Sequence, residues 1–321
     1  MIIPTCGRPE YLPRAVASAL AGMEPGAVEV IVVPNGPDES WRAVLAAYPS
    51  VKVMPVPVRH ANVARNHGLR NASGKYVRFL DDDDFLYADG ARRQCDALER
   101  GEADVCSGAF DVVDKNMTVL TTIRQADTVD LISALFWRDG MWQPTAHVFR
   151  RSAIMHLAWD ERLPWCQDFD WLLKVALIDR LRWIRCDWTV GAWHRHLGER
   201  ISMDSGPEEK RRVVADRVIS AVDLLEGEGR LTRERREAAA ACLWNGVHAA
   251  LCFSPRYWTR VARRASELAP GSHPQIPLYD LRWARPFRLD PLLWEWMMLP
   301  RRRLAWWFRR VRRASGLARH D

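Results

Sequence analysis

The chain lacks the glycine patterns that cradle phosphates. Neither GxGxxG nor GxxxxGK[ST] occurs in its 321 residues, which removes the dinucleotide fingerprint and the P-loop. Cysteine is sparse, with seven residues, an odd number, and no CxxC. That pattern argues against a zinc site and a disulfide framework, and a reducing compartment is expected. No apolar run approaches the roughly 20 residues of a spanning helix. Met1 leads straight into Ile2-Ile3-Pro4 with no leader pattern, so a cytosolic body is expected. Excess charge is also missing from most of the chain. Residues 281–321 hold 11 Arg against 3 acids, while the whole chain carries +7, so the remainder sits at −1. That distribution argues against a whole-surface nucleic-acid binder, and a local anionic partner is expected.

What the chain does have is alternation. Apolar content of 48% suits a sizeable core. Strand patterns at 1–4, 28–33, 51–56 and 76–80 are separated by helix patterns at about 10–21, 39–47 and 62–74. Such alternation implies βαβ units and a mostly parallel sheet, the α/β class. Ligands in open α/β sheets bind outside the carboxyl ends of the strands. Three of those ends carry polar groups: Thr5 with Arg8, Asn35, and the run Asp81-Asp82-Asp83-Asp84.

That acidic run is the most informative stretch. Four carboxylates after a buried strand repel one another unless a cation neutralises them. Mg²⁺ and Mn²⁺ prefer oxygen ligands and bind through carboxylates together with a substrate's phosphates. A metal–diphosphate site is the expectation, and a solvated acidic turn is the bland alternative. A phosphatase strand end of the DxDx[TV] type would need Thr or Val where Asp84 stands, and a DDxxD prenyl-diphosphate site belongs on a helix.

Together these stretches resemble the family 2 glycosyltransferases of GT-A fold. Ile2-Ile3-Pro4-Thr5 through Leu20 is similar to that family's opening. Val28–Pro37 is similar to its second strand and turn, and Ala64–Asp84 to its run that ends in carboxylates. The likeness spans about residues 2–200. It implies that Thr5, Arg8 and Asn35 border the nucleobase of a nucleotide-sugar donor, with Arg65 nearby. Asp81 and Asp83 would form the DxD pair, touching ribose and metal. The family has Asp-Asp where this chain has Pro34-Asn35. An amide offers a base edge both a donor and an acceptor, so the base is left open.

Further on, Gln167-Asp168-Phe169-Asp170-Trp171-Leu172 resembles the family segment that carries the general base, which falls on Asp168, with Gln167 in place of a Glu. Capping a helix is the plain alternative for Asp168. His194-Arg195-His196 resembles a loop whose His, here His196, faces the diphosphate or metal, while His194 has weaker support. Strands are expected at 104–110, 181–186 and 188–194, with a hairpin at 111–122, a helix at 127–137 and an acceptor-facing loop at 140–145.

From Pro207 the pattern turns helical, over about 208–226, 232–253 and 255–268. The expected organisation is a GT-A catalytic domain at 1–205, a helical extension at 206–269, and a linker with a basic Trp/Arg-rich tail at 270–321. Trp, Met and Leu beside clustered Arg in 291–313 suit a helix lying in a bilayer interface. The alternative packs that Trp face on the body.

The expectation is a metal-dependent (Mg²⁺ or Mn²⁺), inverting glycosyltransferase. It takes a nucleotide-sugar donor and a glycan or lipid-linked acceptor in cell-surface polysaccharide synthesis. It works at the cytoplasmic membrane face and has no nucleic-acid partner. A sugar-phosphate nucleotidyltransferase would need a Gly-rich loop after the first strand, and Thr5–Pro9 is too short. The remaining rival is a non-catalytic membrane or RNA-binding protein on the same scaffold.

Overall fold

A computed structural model describes residues 1–21, 26–137, 142–196, 207–276 and 290–314. The chain forms two compact units. The first is Met1–Leu135 with Asp139–Asp204, and the second is Phe136–Arg138 with Ser205–Asp321.

In the first unit, β1 (Ile2–Thr5) and β2 (Ile31–Pro34) are buried along their whole length. They pair in parallel, with β3 (Lys52–Val53) beyond β2. Helix α1 (Leu12–Leu20) presents Leu12, Ala15, Val16 and Ala19 on one stripe. That spacing places four apolar side chains on a single helical face, and they pack with Ile3, Val30 and Val32. After α2 (Trp41–Leu45), helix α3 (Ala61–Asn71) begins where His60 Nδ1 accepts from the Asn62 backbone N–H at 3.2 Å.

The strand expected at 76–80 is regular only over β4 (Tyr76–Val77), which pairs antiparallel with β8 (His147–Arg150). The chain then changes partner. Ile2 N–H donates to Arg78 O at 2.9 Å and Leu80 N–H to Ile2 O at 3.0 Å, which extends the parallel order to β3-β2-β1-Phe79. The acidic run therefore leaves the sheet beside Thr5. Beyond it, β5 (Phe85–Leu86), α4 (Ala88–Arg100), β6 (Val105–Val113), β7 (Val119–Ile123), α5 (Leu131–Phe136), β8, α6 (Arg151–Ile154), α7 (Gln167–Ala176) and β9 (Trp183–His194) follow. They give a mixed sheet of order β4-β8-β6-β9-β5, with β7 on β6 and with β6 and β9 parallel. Two strands are expected over 181–194, but one continuous β9 forms. Register shifts on either side of Ala109 carry β9 past the polar Asp187, which has no register partner on β6.

Helix α4 lies close against β9. A Cβ at Gly90 would fall 2.2 Å from Thr189 O. Gly90→Ala is expected to cost about 1–3 kcal/mol as an overpacking change. In thermal melts the variant should unfold several degrees early, and one that melts with the parent would show that the backbones separate at no cost.

The second unit is helical: α8 (Pro207–Gly227), α9 (Arg233–Ala250), α10 (Pro255–Leu268), α11 (Pro291–Met297) and α12 (Leu299–Ala314). Thr232 caps α9 and Asp290 caps α11 through their side chains, with Pro255 and Pro291 opening α10 and α11. Trp244 and Trp258 are fully buried in its core. The expected helical extension and the first part of the tail thus fall in one unit.

Candidate active site

The carboxyl ends of β1 and β2 meet first. Asn35 is buried and donates its side-chain amide to Thr5 O at 2.8 Å. Thr5 Oγ1 donates to Asp82 Oδ2 at 2.7 Å. Arg8, in the loop before α1, grips two neighbours, with Nη2 2.5 Å from Asp82 Oδ1 and Nη1 2.6 Å from Asp83 Oδ2. The four acids then take separate places. Asp82 is fully buried, and its burial pushes it up to about 7 despite Arg8. Asp84 is also fully buried and raised well above the usual carboxylate range, by burial first and then by Asp83 and Asp81. Its oxygens accept from Gln143 Nε2 at 2.6 Å, Thr145 Oγ1 at 3.1 Å and the His194 backbone N–H at 3.0 Å.

Asp81, Asp83 and Asp84 bring carboxylate oxygens within 4.8 Å of one another. An all-oxygen donor set, with its neighbours strained by like charge, fits a hard divalent cation. Asp81 and Asp83 are the more accessible of the three. His196, expected near the diphosphate or metal, sets its Nε2 2.9 Å from Asp83 Oδ2 beside this cluster. The rest of the expected loop beyond His196, and Gly140 and Met141 of the expected acceptor loop, lie outside the described residues.

Arg65 joins this cluster to α7. Its Nη2 donates to Asp81 Oδ1 at 2.7 Å and lies 3.8 Å from Asp168 Oδ1. Its Nη1 donates to Asn62 Oδ1 and Gln167 Oε1, both at 3.1 Å. The guanidinium sits 4.4 Å from the centroid of Trp159, which stacks on Trp171 at 4.8 Å with planes 1° apart. The long cationic side chain is thus clamped on an aromatic floor.

Asp168 is not a cap. The cap position of α7 is Cys166, with φ of +56° and no side-chain cap bond. This left-handed turn, strained for a residue other than glycine, starts the helix so that Asp168 lies in its first turn. The Asp168 side chain is 36% exposed, yet its Oδ1 is itself buried and accepts no hydrogen bond. Burial pushes the carboxyl up to about 7, with Arg65 pulling down and Asp81 pushing up. It borders a recess lined by Trp142, Pro144, Trp159 and Trp171.

Every residue singled out from the sequence thus lies in the first unit. Thr5, Arg8, Arg65, Asp81, Asp83, Asp168 and His196 join one network, and Asn35 borders it through Thr5. The sequence reading did not single out Arg14, placed Gln143 and Thr145 in an acceptor-facing loop, and set His194 aside. Arg14 Nη2 donates to Asp83 O at 2.8 Å and lies 2.9 Å from His194 Nδ1. All four residues act on the acids from distant elements, and only the fold reveals them.

A parallel α/β sheet with carboxylates at its strand ends is the arrangement of the GT-A glycosyltransferases, and solved structures of that fold superpose on this chain. A TarS fragment from S. aureus, solved with UDP-GlcNAc, gives a TM-score of 0.64 at 18% identity, covering 84% of this chain and 80% of that one. The mannosyltransferase PcManGT from Pyrobaculum calidifontis, solved with GDP-Man and Mn²⁺, gives 0.50 at 17% identity, covering 93% and 82%. Residues 1–158 match the model of glycosyl transferase family 2. Some curated relatives are named glycosyltransferases. An uncharacterized glycosyltransferase of Rickettsia bellii is 27% identical over 190 residues, which is 54% of this chain and 27% of the relative. The succinoglycan biosynthesis protein ExoO of Rhizobium meliloti is 31% identical over 121 residues, or 37% and 34%. The chain therefore spans about a third or less of those two relatives. It spans 85% of the uncharacterized glycosyltransferase YwdF of Bacillus subtilis, at 27% identity over 68% of this chain.

Proposed function

We propose that the chain transfers a sugar from a nucleotide-sugar donor to a hydroxyl of a glycan or lipid-linked acceptor, with inversion, in the synthesis of a cell-surface polysaccharide. The observation that carries this reading is Arg65 between Asp81 and Asp168, at 2.7 and 3.8 Å. It sets a proton acceptor beside a cation-binding strand end. The sugar donors and Mn²⁺ bound to TarS and PcManGT, and the succinoglycan pathway of ExoO, support the donor, metal and product classes.

Asp81 and Asp83 would hold a Mg²⁺ or Mn²⁺ ion, which when bound offsets the charge of a departing diphosphate. Thr5, Arg8 and Asn35, at the ends of β1 and β2, would border the base of the donor. Asp168 accepts the proton of the acceptor hydroxyl as that oxygen bonds to the anomeric carbon. The bond from that carbon to the diphosphate breaks, and the nucleoside diphosphate leaves with the electron pair. A single displacement of this kind inverts the centre, and its transition state has oxocarbenium character.

The test is product analysis by mass spectrometry across a panel of nucleotide sugars, run against pH. Asp168 works only when ionised, so kcat/KM, which reports the free enzyme, should rise with pH through about 7. Its effect on stability has the opposite sign. A carboxyl raised in the folded state stabilises below its unfolded value of about 3.9, and that contribution is lost as pH rises through about 7. A panel that yields no transferred sugar, or a rate that is flat between about pH 5 and 8, would overturn the assignment.

A further inference from the structure

The last two described helices are built inside out. On α12, positions 299, 302, 303 and 306 share one face, and that face meets the rest of its unit. Leu299 is buried. Arg302 Nη1 donates to His248 O at 2.8 Å and to Glu295 Oε2. Arg303 Nε donates to Cys252 O at 3.2 Å. Trp306 sets its edge on the Phe253 ring, with centroids 5.8 Å apart. The centre of this seam is polar: Glu295 is fully buried, with His248 Nδ1 2.9 Å from its Oε1.

The apolar stripe lies on the other side. Leu304, Trp307 and Phe308 are 57%, 53% and 52% exposed at the i, i+3, i+4 spacing of one helical face. Leu293, Trp296 and Met297 on α11 are also exposed, and Trp296 Nε1 donates to Thr259 Oγ1 on α10 at 3.1 Å. Exposed arginines accompany the stripe: Arg301 and Arg303 on α12, and Arg256, Arg260 and Arg263 on α10. A helix in a soluble unit ordinarily turns its apolar stripe to the core. This one is fixed by an ion network and leaves the stripe in water.

We infer that this face binds the headgroup–acyl boundary of an anionic bilayer, through Leu304, Trp307 and Phe308 with the surrounding arginines. Tryptophan, Phe and Leu enter that boundary while Arg pairs with lipid phosphate. A second copy of the chain is the poorer occupant, because it would set arginine against arginine. RNA makes little use of aliphatic Leu293 and Leu304. No helix among the described residues is long and apolar enough to cross a membrane, so the contact is made along the surface.

The test uses the full chain with vesicles of phosphatidylcholine alone or mixed with phosphatidylglycerol. Co-sedimentation should need the anionic lipid and should weaken as salt rises above about 0.1 M, where the screening length is about 10 Å. The triple variant L304Q/W307Q/F308Q should lose at least about tenfold in partitioning, with its circular dichroism and melting temperature unchanged, because none of the three side chains joins the seam. Three outcomes overturn the inference: a full chain that ignores anionic vesicles, a triple variant that binds them as the parent does, or sedimentation that shows a dimer dissolved by the triple variant. RNA retention in a gel shift without vesicle binding overturns it too.

Discussion

Replacing Asp168 by Asn is expected to lower sugar transfer by at least about 10²-fold, the lower end for loss of a general base, while donor affinity stays close to that of the parent. The amide keeps the shape of the carboxylate and cannot take a proton. Donor binding survives because Arg65 keeps its 2.7 Å bond to Asp81 and its hydrogen bonds to Asn62 and Gln167. Little stability is at stake. Asp168 makes no cap bond, and an acidic residue in a first helical turn contributes about 0.3–1 kcal/mol. Single-turnover kinetics, donor titration and thermal melts separate the cases. If transfer and melting temperature fall together with donor affinity, Asp168 supports the helix and the base lies elsewhere.

The second large effect is expected at Asp83. Its Oδ2 sits where Arg8 and His196 converge, at 2.6 and 2.9 Å, inside the cluster with Asp81 and Asp84. Asp83→Asn replaces one carboxyl of the four by an amide without changing side-chain size. Altering residues that merely support a metal ligand costs about 10–100-fold in affinity or activity, so loss of a ligand itself should cost no less. Metal-dependent nucleotide affinity and transfer should fall together. The fold should persist, because Asp83 is one of the like charges that raise Asp82 and Asp84. Calorimetric titration of nucleotide with and without Mn²⁺ reads the effect. A variant whose affinity still depends on metal as the parent's does would reduce the acidic run to a structural turn.

Much of this site was legible in the sequence because its residues sit at strand ends. Thr5, Asn35 and the acidic run each follow an apolar strand pattern, and a parallel sheet sends such ends to one edge. The GT-A class and family 2 were legible from the same stretches. Residues that reach the acids through tertiary packing were not. Arg14 looks like an ordinary polar position of α1, and Gln143 and Thr145 read as parts of an acceptor-facing loop rather than as partners of Asp84. His194 ends a strand whose continuity was itself hidden, since Asp187 reads as a break and the register shift that accommodates it has no sequence mark. The partner change at Arg78 was equally silent, because a strand that swaps neighbours keeps its apolar pattern. In the tail, the mixture of Trp and Arg was plain, but which face meets the protein depends on Glu295, His248 and Arg302, spread over more than fifty positions.

Arg65 also has a thermodynamic consequence. One guanidinium serves as counter-ion to two carboxylates, and Asp81 is itself among the causes that raise Asp168. Positive charge delivered to Asp81 therefore eases ionisation of Asp168. By reciprocity, an ionised Asp168 strengthens the hold of Asp81 on that charge by the same free energy. On the proposed reading, a hydroxyl that arrives ahead of the donor meets a reluctant base, and one that arrives after it meets a ready one. Donor binding and ionisation of the base are then coupled by electrostatic linkage, with no moving part required.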